Sequence, residues 1–333
     1  MKSRQLGPFE VSAIGLGCMS LSHAYGTPPS VEDGARLLGR ALDIGYTFLD
    51  TASVYGVGAN ETLIGQSLKD RRDEFVLASK CGLGPNEDGQ RGLNGRPEAL
   101  RWSCEQSLKR LNTEVIDLFY LHRWDRRVPI EDSVGALGEL VREGKVRTIG
   151  LSEVSAGTLR RAHAEHPITA VQSEYSLWTR NPEVAVLDAC RELGVAFVSF
   201  GPVGRGFLTS SPPDVDHLVK GDIRTDMPRF KGDAWKANLE LLEAFKSVAR
   251  RAACTPAQLS LAWVLAQGDD IIPIPGTSNI DHLEENAEAD QLELSAELLI
   301  ELDLLINART VTGGRYSAAM QASIDTEEVP LEA

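Results

Sequence analysis

The chain has 333 residues, 42% hydrophobic and 25% charged, which suffices for one large core or two modest ones. A net charge of −14 argues against a nucleic-acid partner, because phosphate recognition needs a concentrated positive surface. No apolar run approaches the ~20 residues that cross a bilayer, so no membrane contact is expected.

Residues 1–12 carry no apolar stretch of a secretory or transit signal and read as a small hairpin across one end of the fold. Eight short β-rich runs are then predicted, at 13–17, 46–50, 75–79, 116–121, 146–151, 170–172, 195–200 and 271–274. Helical apolar spacing falls between them at 31–42, 97–111, 131–142, 156–164, 183–193, 256–266 and 280–287. Pro97 and Pro256 sit at first-turn positions. A long connection rich in Gly, Pro and Asp spans 203–235, a last helix spans 296–306, and the Gly, Ser and Glu of 311–333 suggest a loosely held tail.

Alternating strand and helix implies parallel strands joined by crossovers, an α/β fold. Eight repeats favour a closed (β/α)8 TIM barrel, with residues 1–310 as a single barrel domain and 311–333 as its C-terminal tail. The rival open, doubly wound sheet usually carries Gly-x-Gly-x-x-Gly at its first turn, and Gly15 to Ser20 lacks the third glycine. The five cysteines are widely spaced, with no Cys-x-x-Cys pair and no His grouped at metal-ligand spacing. Free thiols in a reducing cytoplasm and metal-independent chemistry are the expectation.

Chemistry in such a barrel sits at the C-terminal ends of the strands. Asp50, Lys80 and His122 close three of the predicted strands, and Tyr55 follows in a loop. Singly they read as a turn cap, a solvated strand end, a buried imidazole and a packed aromatic. Together they make a proton-transfer set for a carbonyl that accepts hydride. Tyr55 is the acid, Lys80 lowers its pKa, Asp50 holds the lysine charged, and His122 orients the substrate oxygen. A lysine at a strand end also allows a Schiff-base lyase, which the companion residues disfavour.

At this point the sequence resembles the aldo-keto reductases, more closely the longer bacterial and fungal members, from about residue 4 to 307. The motifs are Gly15-Leu16-Gly17-Cys18-Met19, Phe48 to Gly56, Ala78-Ser79-Lys80, Leu118 to His122, Gly150-Leu151-Ser152, Gln172 to Tyr175, Gly204 to Leu208, and Pro273 to Thr277 followed by Leu283 to Asn286. The resemblance implies an NAD(P)(H)-dependent oxidoreductase interconverting aldehydes or ketones and alcohols, with Asp50, Tyr55, Lys80 and His122 as catalytic tetrad. Its partner is then a small carbonyl or alcohol. The alternative in the same family is a regulatory, channel β-subunit-like protein that binds cofactor with little turnover.

The resemblance also assigns cofactor positions. Ser152, Glu153 and Gln172 would hold the nicotinamide carboxamide, with Glu153 where many members have Asn. Phe200 would stack on the ring, and Gly201, Val203, Gly204, Arg205 and Gly206 would form the loop over the pyrophosphate. Thr277, Ser278 and His282 would meet the adenosine phosphate region, and Glu285 and Asn286 the adenine. Relatives usually place Lys or Arg around Ser278, Asn279, Asp281 or His282 to grip a 2′-phosphate, and none stands here. NADP(H) is the expected cofactor, with NAD(H) as the alternative. Tyr25, Trp124 and Trp178 would wall a substrate pocket and Phe230 and Trp235 a lid, or each simply packs in the core.

Overall fold

The computed structural model of the chain describes residues 1–22, 24–85 and 91–329. Strands β1 (Ser3–Leu6) and β2 (Phe9–Ser12) pair antiparallel around Gly7, whose φ of +58° is a turn conformation that glycine adopts without penalty. β3 (Leu16–Gly17), β4 (Phe48–Asp50) and β5 (Val76–Cys81) follow, then a small antiparallel pair, β6 (Leu83–Pro85) and β7 (Arg91–Leu93). The remaining strands are β8 (Ile116–Leu121), β9 (Val146–Ser152), β10 (Ala170–Glu174), β11 (Ala196–Phe200) and β12 (Ile271–Pro273).

Eight of these form one parallel sheet in the order β3-β4-β5-β8-β9-β10-β11-β12. It closes on itself where the Gly15 and Gly17 amides donate to the Pro273 and Pro275 carbonyls at 2.9 and 3.1 Å and Gly17 bridges Gly276. A Cβ on Gly17 would stand 2.8 Å from the Ile274 carbonyl oxygen, so this glycine serves barrel closure. The expected (β/α)8 barrel is the observed fold.

Helices α1 (Val31–Asp43), α2 (Ala59–Ser67), α3 (Pro97–Leu111), α4 (Ile130–Arg142), α5 (Ala156–Glu165), α6 (Val186–Leu193), α7 (Gly232–Arg251), α8 (Pro256–Leu265), α9 (Ile280–Glu288) and α10 (Ala296–Leu305) accompany the strands. Several begin at side-chain caps: Ser30 and Ser155 accept from backbone amides three residues on, and Thr255 with Gln258 makes a reciprocal capping box. Three elements differ from expectation. α2 and the β6–β7 pair were not anticipated, and the connection expected over 203–235 already gives way to α7 at Gly232.

Period-two alternation decides what fills the barrel. Phe48, Ala78, Leu118, Ala170, Val198 and Ile272 pack in the lumen, which Leu6 and Val11 of the N-terminal hairpin plug from below. Two residues further along the same faces come Asp50, Lys80, Tyr120, Gln172, Phe200 and Ile274. The polar ones therefore lie above a dry floor.

The tail is not loose. Asp325 accepts from the hydroxyls of Ser155 and Thr158 at 2.9 and 2.6 Å, and Arg315 and Tyr316 are buried. A short helix, α11 (Ala318–Gln321), lies between them; residues 330–333 of the expected tail fall outside the described residues.

Candidate active site

Strand register fixes the centre. Asp50 pairs with Ala78 and Lys80 with Tyr120 across neighbouring strands, so Asp50 and Lys80 meet at one level of the lumen. Lys80 Nζ donates to Asp50 Oδ1 at 2.5 Å and to the Thr51 carbonyl at 2.8 Å, and stands 3.4 Å from Tyr55 Oη. Gln172 Nε2 donates to the other Asp50 oxygen at 2.8 Å. The His122 ring meets the Tyr55 ring edge to face, with centroids 5.9 Å apart. All four expected catalytic residues therefore converge. Asp50, Tyr55 and His122 face a cleft of about 730 Å³, while Lys80 lies fully buried behind Tyr55.

Burial sets the protonation states. It works to lower Lys80, but Asp50 and Tyr55 outweigh it and the ammonium ends above the usual lysine range. Burial pushes the Tyr55 hydroxyl above the ordinary tyrosine range, and the pull of Lys80 reduces this rise without reversing it. Lys80 does draw Tyr55 down as expected, but burial outweighs it, and the phenol stays protonated at neutral pH. Burial, then Arg123 and Lys80, hold His122 well below its usual value, so the imidazole is neutral. Its Nδ1 is buried with no hydrogen-bond partner among the described residues.

The cleft runs from this centre past Ser152, Gln172 and Phe200, along Gly201, Val203, Arg205 and Gly206, to Thr277, Ser278, His282, Glu285 and Asn286. Those expected cofactor positions do line one cavity, of a size that suits a bound cofactor. Gly201, Gly204, Arg205 and Gly206 all have positive φ, which curls the loop across the opening. At the far end the side chains of Ser278, His282 and Asn286 have no hydrogen-bond partner among the described residues, and Asn279 instead caps α9 by accepting from the Asp281 amide at 2.7 Å. A continuous groove ending in unengaged amide, hydroxyl and imidazole groups fits a dinucleotide.

Two expected cofactor positions lie outside the lining. Glu153 does not line the cleft. Its Oε1 accepts from the Glu174 amide at 3.0 Å and its Oε2 from Arg315, which hold the side chain away from the cleft. Gly204 lies outside the lining too, its amide donating to the Gly201 carbonyl. The Arg205 guanidinium is engaged by Glu174 at 2.5 Å and by the hydroxyls of Tyr25 and Tyr316 at 3.0 and 2.7 Å.

Of the aromatic candidates only Tyr25 reaches the cleft. Trp178 stacks on Phe207 at 4.1 Å, Phe230 on Trp235 at 5.5 Å, and Trp124 donates to the Val128 carbonyl. Residues that the sequence did not mark also line it: Met19, Val54 and Leu83 on the apolar side, Arg123 beside the tetrad, and Tyr316 and Met320 from the tail. Arg123 had a signal in its place next to His122, but alternation points it away from the lumen.

The sequence profile of the Aldo/keto reductase family matches residues 13–307. A probable aldo-keto reductase from Glycine max is 46% identical over 92% of this chain and 89% of its own. The NADP(+) aldo-keto reductase yakc of Schizosaccharomyces pombe is 44% identical over 98% of both chains. A glycerol dehydrogenase structure from Gluconobacter oxydans superposes with a TM-score of 0.83 at 27% identity, covering 93% of this chain and 96% of that one. With its barrel, its converging tetrad and these relatives, the chain belongs to the aldo/keto reductase family.

Proposed function

We propose that the protein reduces aldehydes or ketones to alcohols, or runs the reverse, with Tyr55 as the proton carrier and NADP(H) as cofactor. The observation that carries this is Tyr55 Oη, open to the cleft, backed by Lys80 and Asp50 and flanked by a neutral His122.

The nicotinamide, when bound, supplies the hydride to the carbonyl carbon. Tyr55 and His122 hydrogen-bond the carbonyl oxygen and fix its direction. As the carbon–oxygen double bond opens, the Tyr55 proton passes to the oxygen, and the Lys80 ammonium stabilises the tyrosinate that remains. Asp50 and the Thr51 carbonyl hold that ammonium in place. Solvent then reprotonates Tyr55. For alcohol oxidation Tyr55 takes the proton instead. Ser152 and Gln172 would hold the carboxamide and Phe200 the ring, while Thr277, Ser278 and the first amides of α9 would meet a 2′-phosphate by neutral hydrogen bonds. The NADP(+) in the name of the fission-yeast relative favours this cofactor over NAD(H). The unpaired, widely spaced cysteines suit a reducing cytoplasm.

The test titrates NADPH and NADH against the wild type and Tyr55→Phe by tryptophan fluorescence, with turnover of 4-nitrobenzaldehyde in parallel. We expect binding in both proteins and a turnover loss of about 10²–10⁴-fold in the variant. Absence of binding for both cofactors would sink the oxidoreductase reading; tight binding without turnover on a broad carbonyl panel would turn it into the regulatory one.

A further inference from the structure

Beside the tetrad the cleft holds a cation, Arg123, with no carboxylate partner among the described residues. Lys80 is neutralised by Asp50, Arg205 by Glu174 and Arg224 by Asp222. Arg123 has no ion pair among the described residues, although the chain as a whole carries 48 acidic side chains. Its guanidinium is nevertheless fixed. Nη1 donates to the His122 carbonyl at 2.6 Å and to Ser152 Oγ at 3.1 Å. Nε and Nη2 have no acceptor among the described residues. They form the side-on edge of the guanidinium, the fork that takes two oxygens of a carboxylate or phosphate at once. The charge is felt at the reacting groups, since Arg123 acts on both Tyr55 and His122. Met19, Val54 and Leu83 line the same cavity with apolar surface.

We infer that Arg123 selects carbonyl substrates that carry an oxyanion, foremost a carboxylate, on an apolar body. This rests on the reading of Tyr55 as proton carrier and deepens it. A tethered cation with an open fork gives a charged substrate two charge-assisted hydrogen bonds that its neutral ester cannot make. The tether also keeps the entropy cost of the contact small.

The test compares kcat/KM for 4-carboxybenzaldehyde, its methyl ester and 4-formylphenyl phosphate in the wild type, Arg123→Met and Arg123→Lys. The wild type should prefer the carboxylate to the ester, and that ratio should collapse by about 10–100-fold in Arg123→Met, with Arg123→Lys between them. A role confined to supporting Ser152 would scale both substrates alike and leave the ratio unmoved, which overturns the inference. So does a wild type that favours the ester. A phosphate preferred over the carboxylate moves the assignment to phosphorylated carbonyls. Calorimetric titration of 4-carboxybenzyl alcohol into the cofactor-free wild type and Arg123→Met gives a readout independent of turnover. Arg123-dependent binding in a protein that reduces no carbonyl would sink the proposed function and keep the anion site, while equal binding to both proteins removes the site.

Discussion

Replacing Arg315 by Met should destabilise the protein far more than a change in a C-terminal tail normally does. The guanidinium is buried between Glu153 and Glu174, donating to Glu174 Oε2 at 2.9 Å and to Glu153 Oε2. The Glu153 side chain is 0% exposed, so the substitution leaves a carboxylate in a dry site without its cation. Removing one partner of a buried pair costs about 3–5 kcal/mol. Glu174 gives a second measure. Burial pushes its carboxyl up, but Arg205 and Arg315 outweigh burial and hold it at about 2 against an unperturbed 4.5. A depressed carboxylate contributes stability that is complete above its unfolded value and is lost as pH falls through its folded one. Here that is about 3 kcal/mol at neutral pH, disappearing between about pH 4.5 and 2, of which Arg315 supplies part. Equilibrium urea unfolding, followed by circular dichroism, should show the deficit of Arg315→Met at pH 7 and a smaller one at pH 4. The double variant Glu153→Met with Arg315→Met should recover most of the loss, because both charges leave together. A single-variant loss under about 1 kcal/mol, or a double variant no more stable than the single, would refute the reasoning.

Two further predictions concern the reaction. Tyr55 and Lys80 both lie above their ordinary values and His122 well below its own, so the rate of carbonyl reduction should be flat across pH 6–9 and fall only above the ordinary tyrosine range near about 10; a limb near pH 6.5 would contradict the neutral imidazole. In Lys80→Met the tyrosinate loses its stabilising charge, so alcohol oxidation should suffer more than reduction. Ser278→Arg would place a charge-assisted donor at the far end of the groove, and should raise NADPH affinity relative to NADH by about 10–100-fold in a fluorescence titration.

The barrel was legible from its alternating strands and helices, and the tetrad from strand-end positions together with the family resemblance; alternation accounts for two of its members. Strand alternation repeats every second residue, so Phe48 and Asp50, or Ala78 and Lys80, had to share the lumen face once the runs were recognised. What escaped has no such period. α2 is nine residues long and enters from Gly58 in a left-handed conformation, with no capping side chain to announce it. α7 likewise starts at Gly232 without a side-chain cap, directly after a stretch rich in Gly, Pro and Asp. Arg123 and Arg315 matter through contacts that are distant along the chain or made by backbone atoms, which no local pattern records.

Glu153 and the tail, which looked unrelated in the sequence, are one feature. Glu153 has a φ of +57°, a left-handed conformation that costs a non-glycine residue about 1 kcal/mol or more and turns its side chain away from the cleft. A carboxylate held there, 1% exposed, needs a buried cation, and its own strand neighbourhood supplies only the Glu174 amide. Arg315 supplies the charge from 162 residues away, and by also reaching Glu174 it joins the Arg205 loop to the tail. The same contact sets Tyr316 and Met320 against the cleft. Glu153 thus fastens the wall of the cleft to the tail. That is why a segment whose composition reads as a loose tail is built into the rim of the barrel.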